Sequence, residues 1–365
     1  MLWVDKHRPN TLEKLTVHPQ LTDRLSSLAQ DGEIPHLLFY GPPGAGKKTR
    51  IMALLRQIFG PGVEKLRLEH RDFKTPSNAT VELTTVASNY HIEMCPGDAG
   101  NNDRFVVQDI IKEIAQNNPL NLAGKGAAAE GGGGGGGGRP TFKVVLLMEV
   151  DRLSRQAQAA LRRTMEKYTS SCRLILCCTS PSKVIEPVRS RCLGVRVPAP
   201  SLDAIGGVLT EVCRRESLAL PPALAARVAQ ASGRNLRRAV LMLEACRVRQ
   251  YPFTEDQEVA YMDWEIYISN LARDITSEQS PQRLLAVRGK LYNLLANCIP
   301  ADVILETLTR ELMKTLDDEL KHEVAYWAAH YEHSLATGSK EIYHLEAFVA
   351  KFMSIYKRFM ISLFG

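Results

Sequence analysis

The chain has 365 residues, 45% of them hydrophobic and 24% charged, a globular composition long enough for about two or three domains. Its formal net charge of +6 permits contact with a polyanion without requiring one. Eight cysteines with no Cys-x-x-Cys pair argue against a zinc ribbon or a secreted disulfide framework and fit a reducing compartment. No run approaches the ~18 apolar residues of a membrane span, and Asp5, Lys6 and Arg8 charge the N-terminus at once, so neither a membrane segment nor a signal peptide is expected.

In chain order, Leu2-Trp3-Val4-Asp5-Lys6-His7-Arg8-Pro9 is too short and interrupted to be a core element by itself. It reads either as an arm packed on the domain or as a strip over a nucleotide base, with Val4 and Pro9 as apolar contacts and Arg8 as a polar anchor. Next, the apolar run Leu37-Leu38-Phe39-Tyr40 enters Gly41-Pro42-Pro43-Gly44-Ala45-Gly46-Lys47-Lys48-Thr49 and leaves into a helical start. That is the strand, loop and helix of a phosphate-binding P-loop. Its glycines let the backbone aim N–H groups at a phosphate, the helix N-terminus attracts negative charge, and Lys47 supplies a cation. The position that should carry the Ser or Thr hydroxyl for Mg²⁺ holds Lys48. Thr49 lies roughly 100° further round the helix, the wrong place to replace it.

Strand signals recur at Tyr90–Cys95, Phe142–Met148, Cys172–Cys178 and Cys192–Val197, with helical stretches between them. Runs apolar on both faces and separated by helices predict a buried parallel sheet, a doubly wound α/β domain over residues 1–198 with its ligand at the carboxyl ends of the strands. A glycine-rich stretch at about 124–140 reads as a flexible insertion. The strand ending at Met148 corresponds to the one that, beside the P-loop strand of an ATPase, ends in an Mg²⁺-holding Asp followed by a water-activating Glu. Here Met148 stands at the metal position and Glu149 at the water-activating one. A thioether is a poor ligand for a hard cation. With both protein ligands missing, the expected site binds ATP or ADP, holds Mg²⁺ weakly or not at all, and hydrolyses little; Lys48 would take over part of the metal's charge. Ser154–Tyr168 then predicts a capped helix with Leu161, Met165 and Tyr168 on one face and Arg162, Arg163 and Lys167 off it.

With the P-loop variant, the helix Ala160-Leu161-Arg162-Arg163-Thr164-Met165-Glu166-Lys167-Tyr168 and Pro187-Val188-Arg189-Ser190-Arg191-Cys192 in view, the chain resembles the small subunits of replication factor C, the eukaryotic sliding-clamp loader of the AAA+ superfamily. The resemblance runs nearly end to end, and it implies roles that residue reading alone does not. Ser190-Arg191-Cys192 is similar to the family's Ser-Arg-Cys motif, whose arginine enters the neighbouring subunit's ATP site; alone, Arg191 is an ordinary surface ion-pair candidate. Thr179 falls at the polar sensor position, where the family commonly has Asn. Arg237, in Gly233-Arg234-Asn235-Leu236-Arg237, matches the second sensor, with the opening of a helix capped by Asn235 as the structural alternative. Val4, Arg8 and Pro9 gain weight as contacts near the adenine.

The resemblance further implies a helical lid over 199–250, with helical patterns around Leu218–Val228 and Leu236–Val248, and an all-helical collar over 251–365. The collar stripes Leu305, Leu308, Leu312 and Ile342, Leu345, Val349, Phe352, Tyr356 read as internal core on amphipathicity alone; in a clamp loader they belong to a domain that packs into a five-membered ring. Arg104 and Lys112, on the helix Asp103–Gln116, resemble the family's DNA-facing charges. The expected protein is therefore a nuclear subunit of a heteropentamer with other replication factor C subunits, acting with the clamp PCNA and primer-template DNA. A self-sufficient AAA+ motor of the branch-migration type is the rival, weakened because identical defective sites would leave a homo-hexamer without a working one. An adaptor shared among alternative clamp loaders is not distinguished.

Overall fold

The computed structural model describes residues 1–30, 34–74, 80–116, 142–169 and 171–364, and the expected insertion at about 124–140 lies outside them. The chain forms two compact units, Met1–Val259 and Ala260–Gly365. Among the described residues of the first unit, a short helix α1 (Trp3–Lys6) precedes α2 (Pro19–Gln30), β1 (Leu37–Tyr40), α3 (Lys47–Phe59), β2 (Arg67–Lys74), β3 (Thr80–Ala87) and β4 (His91–Met94). There follow α4 (Asp103–Gln116), β5 (Lys143–Leu147), α5 (Arg155–Lys167), β6 (Cys172–Cys178), α6 (Glu186–Arg189), β7 (Leu193–Arg196), α7 (Leu202–Arg215), α8 (Pro222–Ala231) and α9 (Leu236–Arg249).

The strands make one seven-stranded sheet in the order β2-β3-β4-β5-β6-β1-β7. Pairing is parallel from β4 through β5, β6 and β1 to β7, and antiparallel at β2–β3 and β3–β4. Successive residues of the central strands feed opposite cores because side chains alternate across a sheet. Leu38, Val145, Leu147, Leu174 and Leu176 pack with α4 and α5, whereas Leu37, Phe39, Val144, Leu146 and Ile175 pack on the other face with α2 and α3. This is the doubly wound α/β architecture expected. Two features differ from expectation. The hairpin β2–β3 extends the sheet at one edge, and β6 lies between β1 and β5, so the strand leading to Met148 is not the immediate neighbour of the P-loop strand.

Helix α5 begins as predicted: Ser154 Oγ accepts the Ala157 amide at 3.1 Å, Leu161 and Met165 are buried, and Arg162, Arg163 and Lys167 are exposed. The lid has three helices rather than the two segments expected. Helix α7, with Ile205, Leu209, Val212 and Cys213 buried at helical spacing, was not anticipated, and after a turn at Glu216-Ser217 the residues Leu218–Leu220 are irregular, so that α8 starts only at Pro222.

The second unit is helical: α10 (Asp263–Ser277), α11 (Pro281–Ala296), α12 (Ala301–Met313), α13 (Asp318–Thr337) and α14 (Glu341–Phe364). Leu305, Leu308, Leu312, Ile342, Leu345, Val349 and Phe352 are all buried in its single core, with Tyr356 packed against them. The stripes thus serve as internal core. No helix among the described residues is long and apolar enough to cross a membrane.

Candidate nucleotide site

The P-loop opens at the carboxyl end of β1. Gly41 has φ +150°, and a Cβ there would lie 2.0 Å from the Val197 carbonyl oxygen. Gly44 (φ +71°) and Gly46 (φ +88°) are left-handed, the conformation that glycine adopts without a Cβ penalty. Gly46 is the N-cap of α3, so the first amides of that helix face the loop. Lys47 curls back over it, its Nζ donating to the carbonyls of Gly41 at 2.6 Å and Pro42 at 2.9 Å. Behind the loop, buried Arg50 donates to Thr22 Oγ1 at 3.0 Å and to the Val17 carbonyl, tying α3 to α2; its burial lowers its pKa.

The loop is also tied to the lid. Leu236 N–H donates to the Gly44 carbonyl at 3.2 Å, and Asn235 caps α9 by accepting the Arg238 amide on Oδ1 at 3.1 Å. Arg237, in the first turn of α9, is thereby carried to the rim of the cleft. The N-terminal arm closes another side. Trp3 is buried, its amide donates to Glu244 Oε2 at 3.1 Å, and the Arg247 guanidinium lies 5.2 Å from its ring centroid. Lys6 and His7 both pair with Glu216. The arm is therefore packed on the domain, and Val4, Arg8 and Pro9 still face the cleft. The cleft holds about 670 Å³ and is lined also by Pro43, Ala45, Gly46, Lys47, Lys48 and Thr49.

Met148, Glu149 and Thr179 complete the floor. Glu149 has φ +53°, a left-handed conformation uncommon outside glycine and found at sites where the surroundings impose it, and its carboxylate pairs with Arg152 at 2.9 Å. Thr179 donates both its amide, at 3.0 Å, and its hydroxyl to Asp151 Oδ2. Burial opposes ionisation of Asp151, but these hydrogen bonds outweigh it and hold the carboxyl below its ordinary pKa. Cys177 and Cys178 border the same floor, and burial pushes their thiols up to about 11 and about 12, which leaves them neutral and unreactive. Lining from α7, including Val208 and Arg215, was missed with the helix itself.

Family models match along the whole architecture. The ATPase family associated with various cellular activities (AAA) matches residues 37–198, the RCF1/5-like AAA+ ATPase lid domain 207–248, and the replication factor C subunit 3 C-terminal domain 264–360. A replication factor C subunit 3 of Mus musculus is 58% identical over 98% of this chain and 97% of its own length. The chain belongs to the replication factor C subunit family. A subunit 3 of Homo sapiens is 57% identical over 98% of this chain and 97% of its own, and a subunit 5 of Oryza sativa 56% identical over 100% of both. Among solved structures, the Thermotoga maritima RuvB Holliday junction branch migration motor aligns with a TM-score of 0.51 at 15% identity, covering 84% of this chain and 90% of that one, a likeness of fold.

For a replication factor C subunit with an AAA domain, nucleotide binding is the expected property, and the cleft suits it. Amides at a helix N-terminus, a lysine above the loop and Arg237 at the rim match a polyphosphate, while the arm offers apolar surface. The donor set for a hard divalent ion is different. Lys48 carries no oxygen and pairs with Glu93 of β4, and Met148 offers only sulfur. No group of three or more His, Cys, Asp or Glu suited to a metal occurs among the described residues.

The remaining expected residues lie elsewhere. Arg191 follows α6, is not among the described residues lining the cleft, and pairs with Glu166 of α5, Nη2 at 2.5 Å and Nε at 2.8 Å from Oε1. Its Nη1 donates to the Pro187 carbonyl at 2.7 Å. Arg104 and Lys112 are exposed on α4, whose opposite face buries Val106, Val107, Ile110 and Ile111; Lys112 pairs with Asp109 at 3.4 Å.

Proposed function

We propose that this chain is a subunit of a heteropentameric clamp loader, assembled with other replication factor C subunits, that uses ATP to open the sliding clamp PCNA and load it onto primer-template DNA during replication and repair in the nucleus. Residues 1–198 bind nucleotide, 199–250 form the lid, and 251–365 form the collar through which the subunits join. The chain's own cleft holds ATP or ADP and hydrolyses it little. The observation that carries this reading is the floor of an otherwise complete cleft, where Lys48 and Met148 stand in place of both oxygen ligands for Mg²⁺.

In this site the P-loop amides and Lys47 hold the phosphates, Arg237 approaches them from the lid, and Val4 and Pro9 face the base. Thr179, fixed by Asp151, orients polar groups at the strand ends. Glu149 occupies the place of a general base but, without a metal to gather charge on the phosphates, achieves little. Arg191 acts in trans: its position outside its own cleft leaves the guanidinium for a neighbour's γ-phosphate, where such a finger contributes about 10³ to 10⁵ in rate in other P-loop enzymes. Arg104 and Lys112 contact DNA phosphates.

A single-turnover experiment tests the retired site. The purified full chain, loaded with radiolabelled ATP and Mg²⁺, should retain bound ATP without converting it to ADP over many minutes. Rapid conversion would refute the reading, and so would failure to retain any nucleotide.

A further inference from the structure

We infer that the Lys48–Glu93 pair is a built-in replacement for the magnesium ion, making nucleotide binding in this cleft independent of divalent cations. The inference rests on reading the cleft as a nucleotide site. Lys48 is the second residue of α3, next to the phosphate-facing Lys47, and its side chain, 42% exposed, lines the cleft. Its ammonium donates to Oε1 of Glu93, whose side chain is 10% exposed and does not line the cleft. A cation therefore stands in the cleft wall with its counter-carboxylate behind it.

The placement of that carboxylate is the telling feature. β4 and β5 pair in parallel, Glu93 opposite Leu146 and Met94 opposite Leu147, and the Met148 amide continues the ladder to the Met94 carbonyl at 2.9 Å. Glu93 thus lies on the strand adjoining the one that ends at Met148. In a working P-loop site, a hydroxyl on the helix and a carboxylate at a strand end hold a mobile cation between them. Here the helix position itself carries the cation, and a carboxylate on the neighbouring strand holds it. A largely buried carboxylate stripped of its partner is strongly disfavoured, so Glu93 keeps Lys48 in place before any ligand arrives. A charge already fixed in position needs no recruitment from solution.

The test uses the full chain and ADP labelled on the ribose with a methylanthraniloyl fluorophore, titrated in excess MgCl₂ and in excess EDTA. The dissociation constant should change by less than about threefold between the two. The Lys48→Thr/Met148→Asp variant, which restores both oxygen donors, should bind about tenfold or more weakly in EDTA than in MgCl₂. Lys48→Arg, which keeps a cation for Glu93, should remain insensitive to EDTA, and the melting temperature of the double variant shows whether it folds without a partner for Glu93. Loss of wild-type binding by tenfold or more in EDTA would overturn the inference while leaving the cleft a nucleotide site. Absence of binding in both buffers would overturn the nucleotide reading itself, and the inference with it.

Discussion

Replacing Gly44 by Ala tests whether the P-loop and the lid are one mechanical piece. Gly44 is left-handed at φ +71°, and an L-residue there costs about 1–2 kcal/mol. The new Cβ would also sit 1.8 Å from Oδ1 of Asn235, the side chain that caps α9. No shift of a few tenths of an ångström relieves such a contact, so Asn235 must leave its cap, a loss of about 0.5–2 kcal/mol. The two effects sum to about 1.5–4 kcal/mol for Gly44→Ala. In Gly44→Ala/Asn235→Gly the clash is gone and glycine at an N-cap costs only a few tenths, so the double variant should lose about 1–2.5 kcal/mol. Differential scanning fluorimetry of the four proteins of this cycle reads the coupling: about 2–4 °C per kcal/mol for a unit of this size, with the double variant at or above the single one in melting temperature. Methylanthraniloyl-ADP binding should weaken in parallel in Gly44→Ala, since Arg237 rides on the displaced helix. A Gly44→Ala protein that melts within a degree of wild type, or a double variant that is additively worse, would refute the argument.

Thr179→Val removes one of the hydrogen bonds that depress the Asp151 carboxyl. A depressed carboxylate contributes stability that is complete above its unfolded pKa of about 4 and is lost as pH falls through the lower folded value. The variant should therefore lose stability at neutral pH and show a shallower loss on acidification below pH about 4, measured by melting temperature against pH. Arg104→Ala and Lys112→Ala in the reconstituted complex should each weaken primer-template binding for all sequences alike and reduce the slope of log affinity against log salt by about 1. An unchanged slope would remove α4 from the DNA path. Glu166→Ala should leave thermal stability within about 1 kcal/mol, because the Glu166 side of its pair with Arg191 is half exposed to solvent.

Much of this was legible because it is local. The strands β1, β5 and β6 declare themselves as apolar runs buried almost throughout, β4 is buried although His91 and Glu93 interrupt its run, and β7 lies at the sheet edge with only Val195 buried; the P-loop is a contiguous string whose glycines have only one economical explanation. Ser154 and Asn235 are readable as caps for the same reason. The β2–β3 hairpin was not, since Arg67–Lys74 carries mostly charged residues and, among the described side chains of the pair, only Phe73, Leu83, Thr85 and Ala87 are buried. Helix α7 had the periodicity, but the Gly206-Gly207 pair within Leu202–Arg215 weakens the helical signal. The contacts that shape the site join residues far apart in sequence, Lys48 with Glu93 and Gly44 with Asn235 and Leu236, and so does the Arg191–Glu166 pair outside the cleft. Residue types named the candidates Lys48 and Gly44, and the family resemblance named Arg191, but only the fold supplies their partners.

The most direct test of the central claim is steady-state ATP hydrolysis by the reconstituted pentamer, with clamp and primer-template DNA, for wild type, Lys47→Ala and Arg191→Ala. Arg191→Ala should lower turnover sharply while Lys47→Ala scarcely changes it, because this chain supplies a finger to a neighbour and holds nucleotide without hydrolysing it. If Lys47→Ala is the damaging change and Arg191→Ala the harmless one, the cleft with Lys48 and Met148 is a working ATPase and the account is wrong.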